Sequence, residues 1–130
     1  MDLLIDTHAI IWFITEDSNL PLKTKRMIEN PDNICFVSIA TYWEIAIKNS
    51  LGRLNLDSDL EGIFRIIENT GFELLPITTS QILINAGLPL HHHDPFDRII
   101  IAQAIYENLK IVSKDKQFEN YQVSLIWNKL

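Results

Sequence analysis

Short apolar runs alternate along the chain with stretches whose apolar positions recur at helical spacing. Leu3-Leu4-Ile5 predicts a buried strand that ends at Asp6, and Thr7 to Ile14 predicts a helix with Ile10, Ile11, Phe13 and Ile14 inward and Trp12 shared between core and surface. Leu20 to Asn30 is amphipathic, with Lys23, Lys25 and Arg26 opposite Leu20, Leu22, Met27 and Ile28. After the turn Pro31-Asp32-Asn33, Ile34 to Val37 predicts a second strand; Ser38 then caps a helix from Ile39 to Leu51, stopped by Gly52. Asp57-Ser58-Asp59 opens a helix through Leu60, Ile63, Phe64, Ile66 and Ile67, closed at Asn69-Thr70-Gly71. Phe72 to Pro76 reads as a third strand, and Thr79 to Ala86 as a short helix stopped by Gly87-Leu88-Pro89.

The most informative stretch begins at Asp94. Standing before Pro95, it is a helix start, because a short carboxylate caps free amides and a proline at the first helical position has no amide to leave unpaired. Asp97 therefore falls in the first turn. Ile99 to Tyr106 is apolar nearly all round, as in a helix packed deep in a core. Leu109 to Ser113 predicts a strand, Gln117 to Tyr121 one helical turn, and Val123 to Trp127 the last strand. Alternating strands and helices without Asn-Gly or Asp-Gly hairpin signals predict an α/β fold, a three-layer sandwich with a central, mostly parallel sheet flanked by helices. With 130 residues and no repeat or linker, a single domain over 1–130 is expected.

Composition narrows the class. Hydrophobic residues at 47% and charged residues at 22% suit a folded protein and exclude a disordered one. No apolar run reaches the ~18 residues of a membrane span, and Met1-Asp2 leads into a strand without a basic leader. A cytoplasmic protein without membrane contact is the expectation. The single cysteine, Cys35, has no internal partner and reads as a small buried hydrophobe. The net charge of −6 argues at face value against nucleic acid. Setting Asp6, Glu44, Asp97 and Asp115 aside as metal ligands takes four acids from 17 and leaves 13 against 11 bases, a net of −2, so a phosphate substrate stays open.

Each of the four has a structural reading beside the chemical one. Asp6 can cap the next helix, Glu44 can pair with Lys48 one turn on, Asp97 can complement a helix dipole, and Asp115 can shape a turn. Glu44 is the only charge in the apolar run around it, where a bare carboxylate is costly. Together they say more. Asp6 and Asp115 follow strands, and Glu44 and Asp97 lie in helices that follow strands or their loops, so all four can reach one rim. Clustered carboxylates repel unless a cation holds them, and an all-oxygen set suits Mg²⁺ or Mn²⁺. Such centres perform phosphoryl chemistry, one ion lowering the pKa of a water and another stabilising the leaving oxygen.

Four segments carry a resemblance: Asp6-Thr7-His8-Ala9 after the first strand; Ser38 to Glu44; Leu90-His91-His92-His93-Asp94-Pro95-Phe96-Asp97-Arg98; and Ser113-Lys114-Asp115. In that order they resemble the PIN domain, specifically the VapC-type toxins of toxin–antitoxin pairs. The resemblance implies a metal-dependent endoribonuclease using one or two Mg²⁺ or Mn²⁺ ions on Asp6, Glu44, Asp97 and Asp115. It also implies cleavage to a 3′-hydroxyl and a 5′-phosphate, a homodimer, and a cognate antitoxin that blocks the site. Ser113 stands where such proteins often have threonine, and Gln117 where some have another acid, which bears on the second ion.

Thr7 and Ser113 can orient the acids, or serve only local turns and caps. Arg98, Lys114 and Lys116 are candidates for the RNA backbone, or simply balance nearby acids. His91, His92 and His93 lack the spacing of a structural zinc site, and a loop beside the substrate channel is the expectation. Trp12, Phe13, Trp43 and Phe64 read as core, with a groove for an antitoxin helix as the other use of the early aromatics. The rival enzymes fit less well. A phosphoaspartyl hydrolase wants an Asp-x-Asp pair where His8 stands, and a receiver domain wants an acceptor Asp near Pro76-Ile77-Thr78. A PIN-like module that only binds remains as an alternative, against which the intact set of acids argues.

Overall fold

The computed structural model describes residues 1–54, 56 and 58–127. Five strands, β1 (Asp2–Ile5), β2 (Ile34–Ser38), β3 (Glu73–Leu75), β4 (Lys110–Val112) and β5 (Leu125–Ile126), form one sheet in the order β3-β2-β1-β4-β5. Every pairing is parallel. Among the described residues, six helices connect and cover them: α1 (Thr7–Ile14), α2 (Leu22–Glu29), α3 (Ile39–Ser50), α4 (Leu60–Asn69), α5 (Thr79–Gly87) and α6 (Pro95–Glu107). The predicted α/β layering is therefore present. The strand order also separates the chain from receiver-type domains, whose sheets run 2-1-3-4-5.

Strand β1 shows why the layers form. Its side chains alternate in direction, so Leu3 and Ile5 join one core cluster with Ala9, Ile10, Ile63 and Ile67, while Leu4 joins another with Ile100, Ile101, Ala104 and Ile111. All these residues are buried, which is why the strands read as unbroken apolar runs. Asn108, left-handed at φ 55°, ends α6, and the chain then enters β4.

The structure trims several expectations. The second helix starts at Leu22, after an extended Pro21, with Leu20 buried ahead of it. The last strand keeps only Leu125 and Ile126 of Val123 to Trp127, the two residues that find partners on β4. Asp57, expected to help open α4, lies outside the described residues; Asp59 caps that helix through the Gly62 amide. Cys35 is buried as expected, and burial pushes its thiol up to about 11. Trp43 corrects the reading of the aromatics as core, being 63% exposed. The buried face of α3 is Ala40, Thr41, Tyr42, Glu44 and Ile45, which leaves Ile39, Trp43 and Ile47 as an outward stripe at i, i+4 and i+8.

Candidate functional site

Strand order reverses between β1 and β4: β2 and β3 lie on one side of β1, and β4 and β5 on the other. The carboxyl ends of the two strands at such a switch point leave a crevice where α/β sheets bind ligands. Asp6 follows β1, and Ser113 and Asp115 follow β4. Two helix amino termini lie at the same edge, α1 capped by Asp6 and α6 capped by Asp94. Asp94 accepts from the amides of Phe96 and Asp97 at 2.8 and 3.1 Å, which sets Asp97 in the first turn.

A cavity of about 310 Å³ opens there, lined by Asp6, His8, Trp12, Asp97, Lys114 and Asp115. Three of the four predicted acids thus share one wall. Asp6 is buried and engaged on both oxygens: the Ala9 amide donates to Oδ1 at 2.9 Å, and the Ser113 hydroxyl donates to Oδ2. Ser113 in turn accepts from the Asp115 amide at 3.0 Å, tying the two strand ends together. Asp115 caps a 3-10 turn, Lys116–Asn120, through the Gln117 amide at 2.9 Å.

Glu44 sits beside this wall. Thr7 donates to its Oε1 at 2.6 Å, and Lys48 approaches Oε2 at 2.8 Å. The expected one-turn pairing with Lys48 is therefore present, and Glu44 also lies close enough for its charge to act on Asp6 and Asp97. Thr7 is further held against Thr41 at 3.1 Å.

The electrostatics show strain among the acids. Burial pushes the Asp6 carboxyl up from 3.8 to about 6 despite its hydrogen bonds to Ser113 and Ala9. Asp97 rises further, to about 8, first through burial and then through the charges of Asp94, Glu44, Asp6 and Asp115. A carboxyl raised this far by burial and by neighbouring charges marks a place where a cation would be favourable.

His92 was the residue least legible in the sequence. Only the middle histidine of the three is buried, and its Nε2 lies 2.9 Å from Asp115 Oδ2 and 3.0 Å from Asp97 Oδ2. The tract lies in a loop at the edge of the site, and ligand atoms of His92, Asp97 and Asp115 lie within 4.8 Å of one another. The loop is fixed from a distance. The Tyr121 hydroxyl accepts from the His91 and His92 amides at 3.1 and 2.8 Å and donates to the Pro89 carbonyl at 2.7 Å. Arg98 donates to the carbonyls of Asn85, Leu88, Pro89 and His92. Its guanidinium is thus committed to holding this loop, a part that neither sequence reading, RNA backbone contact or balance of nearby acids, contained. Lys114 remains exposed with Nζ 5.9 Å from the Trp12 ring, and Lys116 is exposed in the 3-10 turn. His91 and His93 are exposed.

A family model described as "PIN domain" matches residues 3–123. The chain is 26% identical over 125 residues to a protein named Ribonuclease VapC22 from Mycobacterium tuberculosis, covering 92% of each. Among solved structures it resembles VapBC2 from Rickettsia felis bound to a DNA fragment from their promoter, with a TM-score of 0.72, 15% identity, and 97% and 98% of the two chains covered. It also resembles VapBC-5 from Mycobacterium tuberculosis, described as a member of the VapBC family of toxin-antitoxin systems, with a TM-score of 0.63, 18% identity and coverage of 97% and 98%. A match that runs from β1 past the 3-10 turn, together with five parallel strands that bring Asp6, Asp97 and Asp115 to one crevice, places this chain in the PIN domain family.

Proposed function

We propose that the chain is a divalent-metal-dependent endoribonuclease and the toxin of a toxin–antitoxin pair. The observation that carries the reading is the convergence of Asp6, Asp97 and Asp115 on one cavity at the switch point, with Glu44 beside them and two carboxyls raised by burial and mutual charge. The relative named a ribonuclease and the VapBC-family neighbour support it.

The donor set fits Mg²⁺ or Mn²⁺, because it offers carboxylates and no cysteine. Asp6, Asp97 and Asp115 would hold the ion, with Glu44 completing the set or engaging a second ion. When bound, a divalent cation supplies Lewis acidity, lowering the pKa of a water and neutralising charge on a phosphodiester. The chain's own residues do the rest. Ser113 keeps Asp6 aimed at the crevice, Thr7 keeps Glu44 in place, and the amino termini of α1 and α6 favour negative charge at this edge. Lys114 and Lys116 meet the RNA backbone, and Trp12, on the same wall as Lys114, offers a ring for a base to stack on.

Two apolar surfaces suit the expected partners. A groove of about 320 Å³ between α1 and α2, lined by Trp12, Phe13, Leu20, Pro21 and Leu22, would take an apolar face of the antitoxin. The stripe Ile39, Trp43 and Ile47, with exposed Ile82 and Leu83 on α5, would take a second copy of the chain.

The test uses an end-labelled single-stranded RNA and DNA of the same sequence, each with Mg²⁺, Mn²⁺ or chelator. Cleavage of RNA that needs metal, leaves 5′-phosphate ends and disappears in Asp97→Asn is expected. Equal cutting by Asp97→Asn, or cutting in chelator, would refute the assignment.

A further inference from the structure

We propose that His92 is a hydrogen-bond donor that positions Asp115 beside Asp97 for a cation, and that it does not ligate the cation itself. The inference rests on the metal-site reading above and concerns a site residue whose part that reading leaves open.

The hydrogen bonds of the ring assign its tautomer. The backbone amide of Asp94 points at Nδ1, 3.2 Å away, so Nδ1 is an acceptor and carries no hydrogen. The ring's N–H is therefore Nε2–H. That nitrogen is hydrogen-bonded to Asp115 Oδ2 at 2.9 Å, and Asp97 Oδ2 lies alongside at 3.0 Å, within ion-pair distance. To ligate through Nε2 the ring would have to move its hydrogen to Nδ1, directly against the Asp94 amide hydrogen. That amide is not free to turn away, because Asp94 is the cap of α6 and its side chain holds the amides of Phe96 and Asp97.

The ring itself is also held. Tyr121 grips the His92 amide, Arg98 grips its carbonyl at 3.2 Å, and the imidazole packs against the buried Phe118 ring with centroids 5.8 Å apart. Nearly all of the residue is out of water, at 8% exposure. A donor built this rigidly draws together one acid from α6 and one from the segment after β4 before any cation arrives. It uses one oxygen of Asp115 and leaves the other lone pairs of both acids for the ion. The cation then meets an all-oxygen set, so the site has no nitrogen ligand to favour Mn²⁺ over Mg²⁺.

Histidine side-chain ¹⁵N NMR of the intact protein, alone and saturated with Mg²⁺, tests the assignment without any turnover. His92 Nε2 is expected to carry its hydrogen in both forms. A switch to Nδ1–H on adding Mg²⁺ would show ligation and overturn the proposal. Calorimetric titration supplies the second arm. His92→Phe keeps a ring and loses the donor, and is expected to weaken Mg²⁺ and Mn²⁺ together by about tenfold, leaving their ratio unchanged. His92→Gln, which keeps an N–H, is expected to recover part of the loss. Unchanged affinity in His92→Phe overturns this inference alone, as does a loss confined to Mn²⁺. Failure of the parent to bind either ion overturns the metal-site reading with it.

Discussion

Asp97→Asn isolates the charge strain of the site, and its effect on stability follows from the carboxyl's rise from 3.8 to about 8. The folded chain binds that proton more tightly than the unfolded chain does. Stability is therefore fully present below about pH 4 and is lost as pH rises through the window from 3.8 to about 8. Asp6 loses its own share between 3.8 and about 6, so the slope above pH 6 belongs mainly to Asp97. From pH 6 to 8 the parent passes through nearly two units of that window, each worth about 1.4 kcal/mol. About a fifth of the side chain is exposed to screening water, which reduces the effect to roughly 1–2 kcal/mol. Asparagine carries no charge and keeps the size of the side chain, so the variant should gain on the parent by that amount between pH 6 and 8 in chelator. For a chain this size the difference is about 3–8 °C in Tm, readable by thermal melts in matched buffers. Millimolar Mg²⁺ at pH 8 should stabilise the parent and not the variant. Parallel pH slopes for the two proteins in chelator would refute the premise that the fold strains this carboxylate.

Tyr121→Phe removes the hydroxyl that accepts two amides and donates to the Pro89 carbonyl; a loss of about 1–3 kcal/mol in urea unfolding is expected, with reduced metal affinity. Arg98→Lys cannot reach the four carbonyls that the planar guanidinium spans, so amide hydrogen exchange should quicken across residues 88–92 while the α4 amides stay unchanged. Leu83→Glu places a charge on the exposed apolar face of α5; sedimentation is expected to show a dimer for the parent and a monomer for the variant, and a variant as dimeric as the parent would move the interface elsewhere.

Features set by local chemistry were readable from the chain. Asp94-Pro95 announced the start of α6, Ser38 capped α3, and Asp6 ended β1, because each depends on neighbours within a few residues. The acids could be grouped because a parallel sheet gathers at one edge the residues just past the carboxyl ends of its strands. Features that depended on distant partners were not readable. β5 shrank to the residues that β4 could pair, and Trp43 faced outward because the helical period gave the buried side to Tyr42, Glu44 and Ile45. His92 entered the site because Tyr121 and Arg98 fold its loop inward, a contact across 29 residues in one case, and no spacing in a triple histidine announces which ring turns in. The buried middle position, flanked by exposed neighbours, is the signal visible only in three dimensions.

Mapping of new 5′-phosphate ends in total cellular RNA tests most directly whether these acids cut RNA. Purified protein would be incubated with Mn²⁺, with chelator, and as Asp97→Asn. Discrete ends that require both the metal and Asp97 are predicted, at sites that would also define the target. A folded, antitoxin-free protein that binds metal yet leaves no such ends would contradict the nuclease and leave a PIN domain that only binds its partner.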